Sequence, residues 1–344
     1  MRNIILIIGF LIINQVIGYS CTIFSITKDG KTLVGNNEDY IKPNTKVWIT
    51  PTSNTDYGCI FFTFDAFWPL GGMNSEGLFF DWALTTVQNY KKSNDKKDVR
   101  GSVCKLMLQN CANVKEAIDF IENYNIHELK NAHMLIADKL GNSAVIEWNG
   151  NDISVIKNEQ DYQVLTNFNI YDAKESRLKS GRYCKASEQL EKCDTLTVDF
   201  VKEVLKCVHQ NGKYPTLYSN VYDLQNQLVY VYYRHNYEYV HVFDIKKELD
   251  NEIKSDLAIF FPQVILSEFS EIDFKKRYNN KELKILGLEL QKIEEYNKAA
   301  ITFEYDLELY PDSDESLKHL IDIYAILNND KKTKKYTKRL EKRN

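Results

Sequence analysis

From Cys21 onward the chain runs in short stretches of alternating apolar and polar residues, the pattern of half-buried strands. Residues 21–26 (Cys-Thr-Ile-Phe-Ser-Ile) read as a strand. Asp29-Gly30 supplies a hairpin turn within Lys28-Asp29-Gly30-Lys31, and residues 32–35 return. Further strands are predicted at 59–64, 78–85, 132–137, 144–148 and 153–156, with Asp138 to Asn142 forming a turn between two of them. Two late strands, 226–233 and 239–243, are joined through Arg234-His235-Asn236-Tyr237-Glu238. Apolar residues at helical spacing mark 103–108, 114–124 and 198–209. Runs of strands with segregated helices predict a layered α+β domain rather than a parallel doubly wound sheet.

After about Tyr278 the strand pattern stops and the period becomes helical. Helices are expected at 282–293, 296–309 and 313–327, with a basic, solvated last helix from Lys331. Gly287, Ala299, Phe303 and Pro311, preceded by Leu283 and Leu286, have a spacing that resembles the tetratricopeptide repeat. A plain helical hairpin fits the same matches. Repeats of this kind need about three units to stand alone, so one and a half units must pack on the main domain or on a partner. The resemblance implies a surface for a protein partner or a second copy of the chain.

The first twenty residues read as a secretory signal peptide. Met1-Arg2-Asn3 is a short basic start, residues 4–13 are apolar but too short to span a bilayer well, and Gly18 and Ser20 are small residues before a cut. Cleavage after Ser20 predicts a secreted or periplasmic chain of 324 residues beginning at Cys21. Two other readings of Cys21 stand beside this one. A lipoprotein signal calls for Leu three residues before the cysteine, where this chain has Gly18, and Cys21 also fits as an ordinary first-strand residue. No second long apolar stretch follows, so no transmembrane anchor is expected.

The net charge of −4, about −5 once Arg2 is removed, gives no argument for nucleic acid or anionic membranes as partners. Six cysteines remain beside Cys21: Cys59, Cys104, Cys111, Cys184, Cys193 and Cys207. One pair among the last three is compatible with an oxidising compartment, and so are buried free thiols. No Cys/His spacing suits a metal, so neither metal nor cofactor is expected. His133 alternates into a strand and reads as a satisfied core residue.

A cysteine with a free α-amine carries nucleophile and base on one residue, the starting point of an N-terminal-nucleophile hydrolase. Its amine, with an ordinary pKa of about 8, can take the thiol proton. Amide hydrolysis further needs a group that orients the base and donors for the oxyanion. Asp39, in Gly35-Asn36-Asn37-Glu38-Asp39-Tyr40, is the candidate orienter, and a turn-capping role is the plainer alternative.

These residues resemble the choloylglycine hydrolase and penicillin V acylase family of linear-amide C–N hydrolases, to which acid ceramidase is also related. The resemblance spans roughly residues 21–260. It includes Cys21-Thr22, the 35–40 segment, Gly72-Met73-Asn74-Ser75-Glu76-Gly77-Leu78, His133 to Asp138, Leu165-Thr166-Asn167 and Arg182-Tyr183-Cys184-Lys185-Ala186. It implies a four-layer αββα sandwich over 21–275, followed by a small helical segment at 278–344. It implies that Cys21 is nucleophile and base and that Asp39 holds the amine. Asn167 would then donate to the oxyanion, with a second donor from backbone near Leu84. Arg182, with Arg177 as the alternative, would lower the thiol pKa.

Asn36, Asn74, Trp82 and Leu84 are further oxyanion or substrate candidates. Bile-salt hydrolases carry Arg where this chain has Asn36, and the substrate Asn is replaced in Trp82-Ala83-Leu84-Thr85, which points away from bile salts. Phe61, Phe64, Phe67, Trp68, Phe80 and Trp82 are candidates for an apolar wall suited to an acyl chain. The implied activity is cleavage of a small N-acyl amide through a Cys21 thioester. Transfer of the acyl group to another amine, and a non-catalytic binding protein on the same scaffold, are the alternatives.

Overall fold

The computed structural model describes residues 21–64, 67–173, 181–250, 252–268 and 278–343. The expected leader, Arg177 and the expected domain limit at residue 275 lie outside them. The Asp29-Gly30 turn forms as its sequence predicts, with φ of 52° and 74°. It folds β1 (Thr22–Lys28) back on β2 (Lys31–Asp39) in one unbroken register, Lys28 opposite Lys31 through Thr22 opposite Asn37.

These two strands lie within a six-stranded sheet. β10 (Tyr162–Leu165) flanks β1, while β11 (Thr216–Asp223), β12 (Leu228–Tyr233) and β13 (Asn236–Asp244) continue beyond β2. The second sheet has eight strands. Its order is β14 (Ile253–Asp256), β3 (Thr45–Thr50), β4 (Cys59–Phe64), β5 (Gly71–Asn74), β6 (Phe79–Leu84), β7 (Ala132–Ala137), β8 (Ser143–Trp148) and β9 (Ile153–Lys157). All the pairings are antiparallel.

Three apolar clusters define four layers. Ile23, Val34, Ile60, Phe62, Phe79 and Leu135 pack between the sheets. α1 (Val103–Asn110) and α2 (Val114–Ile121) cover the outer face of the eight-stranded sheet against Phe61, Phe80 and Trp82. α3 (Gly181–Leu190) and α4 (Val198–Val208) cover the six-stranded sheet against Phe24 and Val221. The fold is the αββα sandwich that the resemblance implied.

Several elements differ from expectation. β11 carries Ser219, Asn220 and Asp223 but is buried along its whole length, so its pattern does not alternate. The five-residue connection expected after Tyr233 is a tight turn at Arg234-His235, both at positive φ (50° and 51°), with Tyr233 opposite Asn236. β3, β5, β10, β14 and α3 are not among the elements predicted from the apolar pattern. All seven cysteines are unpaired, five of them buried.

α5 (Ile245–Glu248) and α6 (Pro262–Glu268) lead to the helical segment. This segment comprises α7 (Asn280–Lys292), α8 (Tyr296–Leu309), α9 (Asp314–Ile326) and α10 (Asp330–Glu341). Asn279 caps α7 in a reciprocal capping box with Glu282, and Ser313 caps α9. Gly287 on α7 meets the buried Phe303 of α8, and a Cβ there would lie 2.5 Å from the ring. Gly287→Ala is therefore expected to destabilise this segment by about 1–3 kcal/mol despite alanine's better helix propensity. A thermal melt no lower than that of the native chain would show that the ring yields at no cost.

Candidate active site

Strand alternation sorts the residues of β1 and β2 between two layers. Cys21 and Ile23 face the inter-sheet core, whereas Phe24 faces the helices. On β2, Asn36 and Glu38 point inward to the second sheet, and Asn37 and Asp39 point outward. Asn37 donates to the Leu205 carbonyl of α4 at 2.9 Å, and Asp39 accepts from Gln210 Nε2 and Thr216 Oγ1.

Arg182, the second residue of α3, reaches across the end of β1. Its Nη1 donates to the Cys21 carbonyl at 2.7 Å and to Thr22 Oγ1, and lies 3.7 Å from Asp39 Oδ2. Its Nη2 donates to Asn167 Oδ1 at 3.0 Å. Asn167 Nδ2 in turn donates to the Leu84 carbonyl at 2.9 Å. Cys21, Asp39, Asn167, Arg182 and the Leu84 backbone thus stand together.

The loop carrying Asn167 is fixed from beneath. His133, fully buried, is 2.6 Å from the Thr166 carbonyl through Nε2 and 3.1 Å from Glu147 through Nδ1. Glu147 also accepts the backbone N–H groups of Ile170 and Tyr171. His133 is the core residue expected, and Glu147 is a positioning residue that sequence reasoning passed over.

Two candidates lie elsewhere. Asn74 donates to the Leu108 and Cys111 carbonyls, both at 2.7 Å, and accepts from the Glu76 and Leu78 N–H groups. Its polar atoms tie the β5–β6 turn to α1. Trp82 packs in the helix-side core, because its neighbour Asp81 takes the inward face of β6. Of the expected apolar wall, Phe61 and Phe80 belong to that same core, Phe64 stacks on Tyr40 at 4.4 Å, and Phe67 and Trp68 are exposed.

The charge of Arg182 does act on Cys21, but the lowering it was expected to bring is outweighed. The guanidinium binds the Cys21 carbonyl, while Sγ points the other way and donates to Glu38 Oε2 at 3.4 Å. Burial, followed by the charges of Glu38 and Asp39, pushes the thiol well above its ordinary value; the Asp39 backbone N–H at the sulfur pulls the other way. Asn36 is buried and donates to Glu38 Oε1 at 3.1 Å and to Asp81 Oδ2 at 2.6 Å. Burial, with the charge of Glu38 beside it, pushes Asp81 well above the usual carboxylate range. Sequence reasoning missed this acid pair. The signal for half of it was present: the two-residue turn that pairs Lys28 with Lys31 runs in register to put Cys21 across from Glu38.

Burial raises Glu38 from 4.5 to about 7, and raises Asp39 from 3.8 to about 7 against the pull of Thr216 and Arg182. The folded pKa values exceed the unfolded ones, so the folded state binds more protons. The associated stability is complete below about pH 4 and is lost as pH rises through 7. Each group is expected to remove on the order of 3 kcal/mol over that window. Urea unfolding at pH 5 and pH 8 checks this, and equal or greater stability at pH 8 contradicts it.

A cavity of about 410 Å3 is lined by Ile41, Pro43, Thr216, Leu217, Arg234 and His235 among others, and Cys21, Asp39, Asn167 and Arg182 are not part of its lining. Among the described residues no group of His, Cys, Asp and Glu is arranged to hold a metal ion, and no helix is long and apolar enough to cross a membrane.

This fold and constellation have relatives. The family model for acyl-coenzyme A:6-aminopenicillanic acid acyl-transferase matches residues 26–237, and the chain belongs to that family. It is a family of N-terminal-nucleophile amide hydrolases and acyltransferases. Among solved structures, a variant of conjugated bile acid hydrolase from Clostridium perfringens matches with a TM-score of 0.59 at 19% identity. That match covers 69% of this chain and 97% of the other. Penicillin V acylase from Agrobacterium tumefaciens matches with a TM-score of 0.56 at 18% identity, over 69% and 91%. A second Clostridium perfringens bile acid hydrolase variant gives 0.55 at 18%, over 69% and 96%. At such identities the likeness is one of fold. No curated protein matches the chain in sequence.

Proposed function

We propose that the chain is exported, begins at Cys21 once its leader is removed, and hydrolyses a linear, non-peptide C–N amide bond of a small N-acyl substrate. The Cys21 thiolate attacks the acyl carbon, the C–N bond breaks with a proton delivered to the departing amine, and water hydrolyses the resulting thioester. The observation that carries this reading is Arg182, which gathers the Cys21 carbonyl, Asn167 and Asp39 around one guanidinium. Asn167 uses one amide hydrogen on Leu84, and its second is available to an oxyanion. Asp39, which lies against Arg182, is the partner for the amine.

The test is direct. The secreted protein is sequenced from its N-terminus, weighed intact and incubated with a panel of N-acyl amides. Acid quenching is expected to trap the acyl mass on the peptide beginning at Cys21. A chain that begins elsewhere or carries lipid, or a flat panel with Cys21 exposed, overturns the proposal and favours a binding role. Acyl transfer is a second reading, supported by the acyl-transferase description of the matching family. An added amine such as 6-aminopenicillanic acid would then divert product from the free acid to a new amide.

A further inference from the structure

The net charge of −4 hides a segregation that the fold displays. Asp330 to Arg343 carries eight lysines and arginines against two carboxylates. α10 sorts these cations into two sets. Its packed side is anchored by Tyr336, which is buried, with Leu340 partly buried beside it. Three cations turn toward that side and find partners there. Lys332 meets Glu304 at 3.0 Å, Arg343 meets Asp312 at 3.0 Å and Asp314 at 2.8 Å, and Arg339 donates to the Pro311 carbonyl at 2.7 Å.

The other five are Lys331, Lys334, Lys335, Lys338 and, at the C-cap, Lys342, and all are exposed. At 3.6 residues per turn they fall within an arc of about 100°, opposite Tyr336 and Leu340, and run about 16 Å along the helix. Asp330 and Glu341 lie to one side of this stripe. None of the five lysines joins an ion pair or a hydrogen bond among the described residues. Lys335 Nζ lies 4.9 Å from the centre of the Tyr336 ring, a contact that leaves its charge in place.

The stripe works against the helix that carries it. Lys331 sits in the first turn, where the backbone dipole disfavours a cation. Lys331 stands three or four residues from Lys334 and Lys335, and Lys338 stands as close to Lys334, Lys335 and Lys342, so like charges repel along the whole face. Among the described residues no carboxylate pairs with these lysines, and an anionic partner outside the chain would offset the repulsion. The chemistry of the stripe selects that partner. Lysines are compact point charges that suit a diffuse field rather than paired recognition of a single phosphate. No aromatic ring or arginine lies on that face to stack on a base, and no apolar side chain lies there to anchor a protein interface. The convex outside of a helix fits a broad, flat array of negative charge, the headgroups of an anionic lipid bilayer. No helix among the described residues is long and apolar enough to cross a membrane, so the contact is peripheral.

We propose that the lysine face of α10 is a docking surface for anionic lipid bilayers and holds the protein there by charge. This goes beyond the proposed hydrolase activity and does not depend on it. The experiment is co-sedimentation of the full protein with vesicles of phosphatidylcholine alone and with vesicles in which about a third of the lipid is phosphatidylglycerol, at low salt. The native protein is expected to sediment with the anionic vesicles only and to be released by about 0.5 M salt. Each lysine near such a surface strengthens binding about fivefold. Combining Lys331→Gln, Lys334→Gln, Lys335→Gln, Lys338→Gln and Lys342→Gln should therefore weaken binding by about 10²-fold or more at an unchanged thermal midpoint. Arginine at the same five positions should preserve it. If the combined glutamine variant fails to fold, Lys334→Gln and Lys338→Gln take its place as single substitutions, each expected to weaken binding about fivefold. Equal sedimentation with both kinds of vesicle, as a lipid on Cys21 would produce, overturns the proposal. So does a failure to sediment with anionic vesicles, or sedimentation that the glutamine substitutions leave unchanged. Tighter binding to duplex DNA than to anionic vesicles at matched ionic strength assigns the face to nucleic acid and overturns the membrane reading as well.

Discussion

Cys21→Ser is expected to lower amide cleavage by at least about 10³-fold with little change in stability. A serine hydroxyl fits where the thiol lies and can still donate to Glu38, so the inter-sheet core is kept. The loss is chemical. A hydroxyl gives up its proton far less readily than a thiol, and the acyl intermediate becomes an ester rather than a thioester. Arg182 contacts the Cys21 carbonyl and Thr22 rather than the sulfur, so the surrounding hydrogen bonds survive the exchange. The measurement is initial rate on the best amide of the panel, alongside the thermal midpoint. Activity within tenfold of native, at an unchanged midpoint, would remove Cys21 from the chemistry and with it the family's mechanism for this chain.

Glu282→Ala is expected to destabilise the protein by about 3–5 kcal/mol and to loosen the helical segment from the sandwich. Glu282 is fully buried, and its Oε1 accepts from Tyr233 Oη at 2.5 Å and from Arg234 Nη2 at 2.7 Å. Its Oε2 accepts the Asn279 N–H at 2.8 Å, closing the capping box of α7, while Asn279 Nδ2 donates to the Pro43 carbonyl. One carboxylate therefore starts the helix and docks it on the β12–β13 turn. Removing it takes one buried acceptor from Tyr233, Arg234 and the Asn279 N–H together, and the loss of these buried, charge-assisted hydrogen bonds is the main cost. Replacing both partners, Arg234→Met with Glu282→Leu, should recover most of the loss. Limited proteolysis near residue 278 and urea unfolding report the effect. A loss under 1 kcal/mol in Glu282→Ala would mean that apolar packing alone holds the segment.

The local grammar of the chain was legible where a short-range signal agreed with the fold. The Asp-Gly turn, the strands 59–64 and 132–137 and the helix 296–309 form where periodicity puts them. Legibility failed where burial on both faces erased alternation, as in β11, and where two left-handed residues compressed an expected loop, as at Arg234-His235. It also failed at Trp82. Its indole suited a substrate wall on composition, but the strand period gives the inward face to Asp81.

The candidate site divides the same way. By itself the sequence determined the hairpin, and with it the register that puts Glu38 across from Cys21, because a two-residue turn leaves the pairing no freedom. It also determined which residues of β2 share a face. The tertiary structure alone decided what meets them. Asp81 comes from the other sheet, Asn167 from a loop held by His133 and Glu147, and Arg182 from a helix of another layer. No local rule couples residues 45 to 161 positions apart in the chain. They converge because two sheets must bury their apolar faces against each other, and the few polar groups trapped there must find partners among themselves.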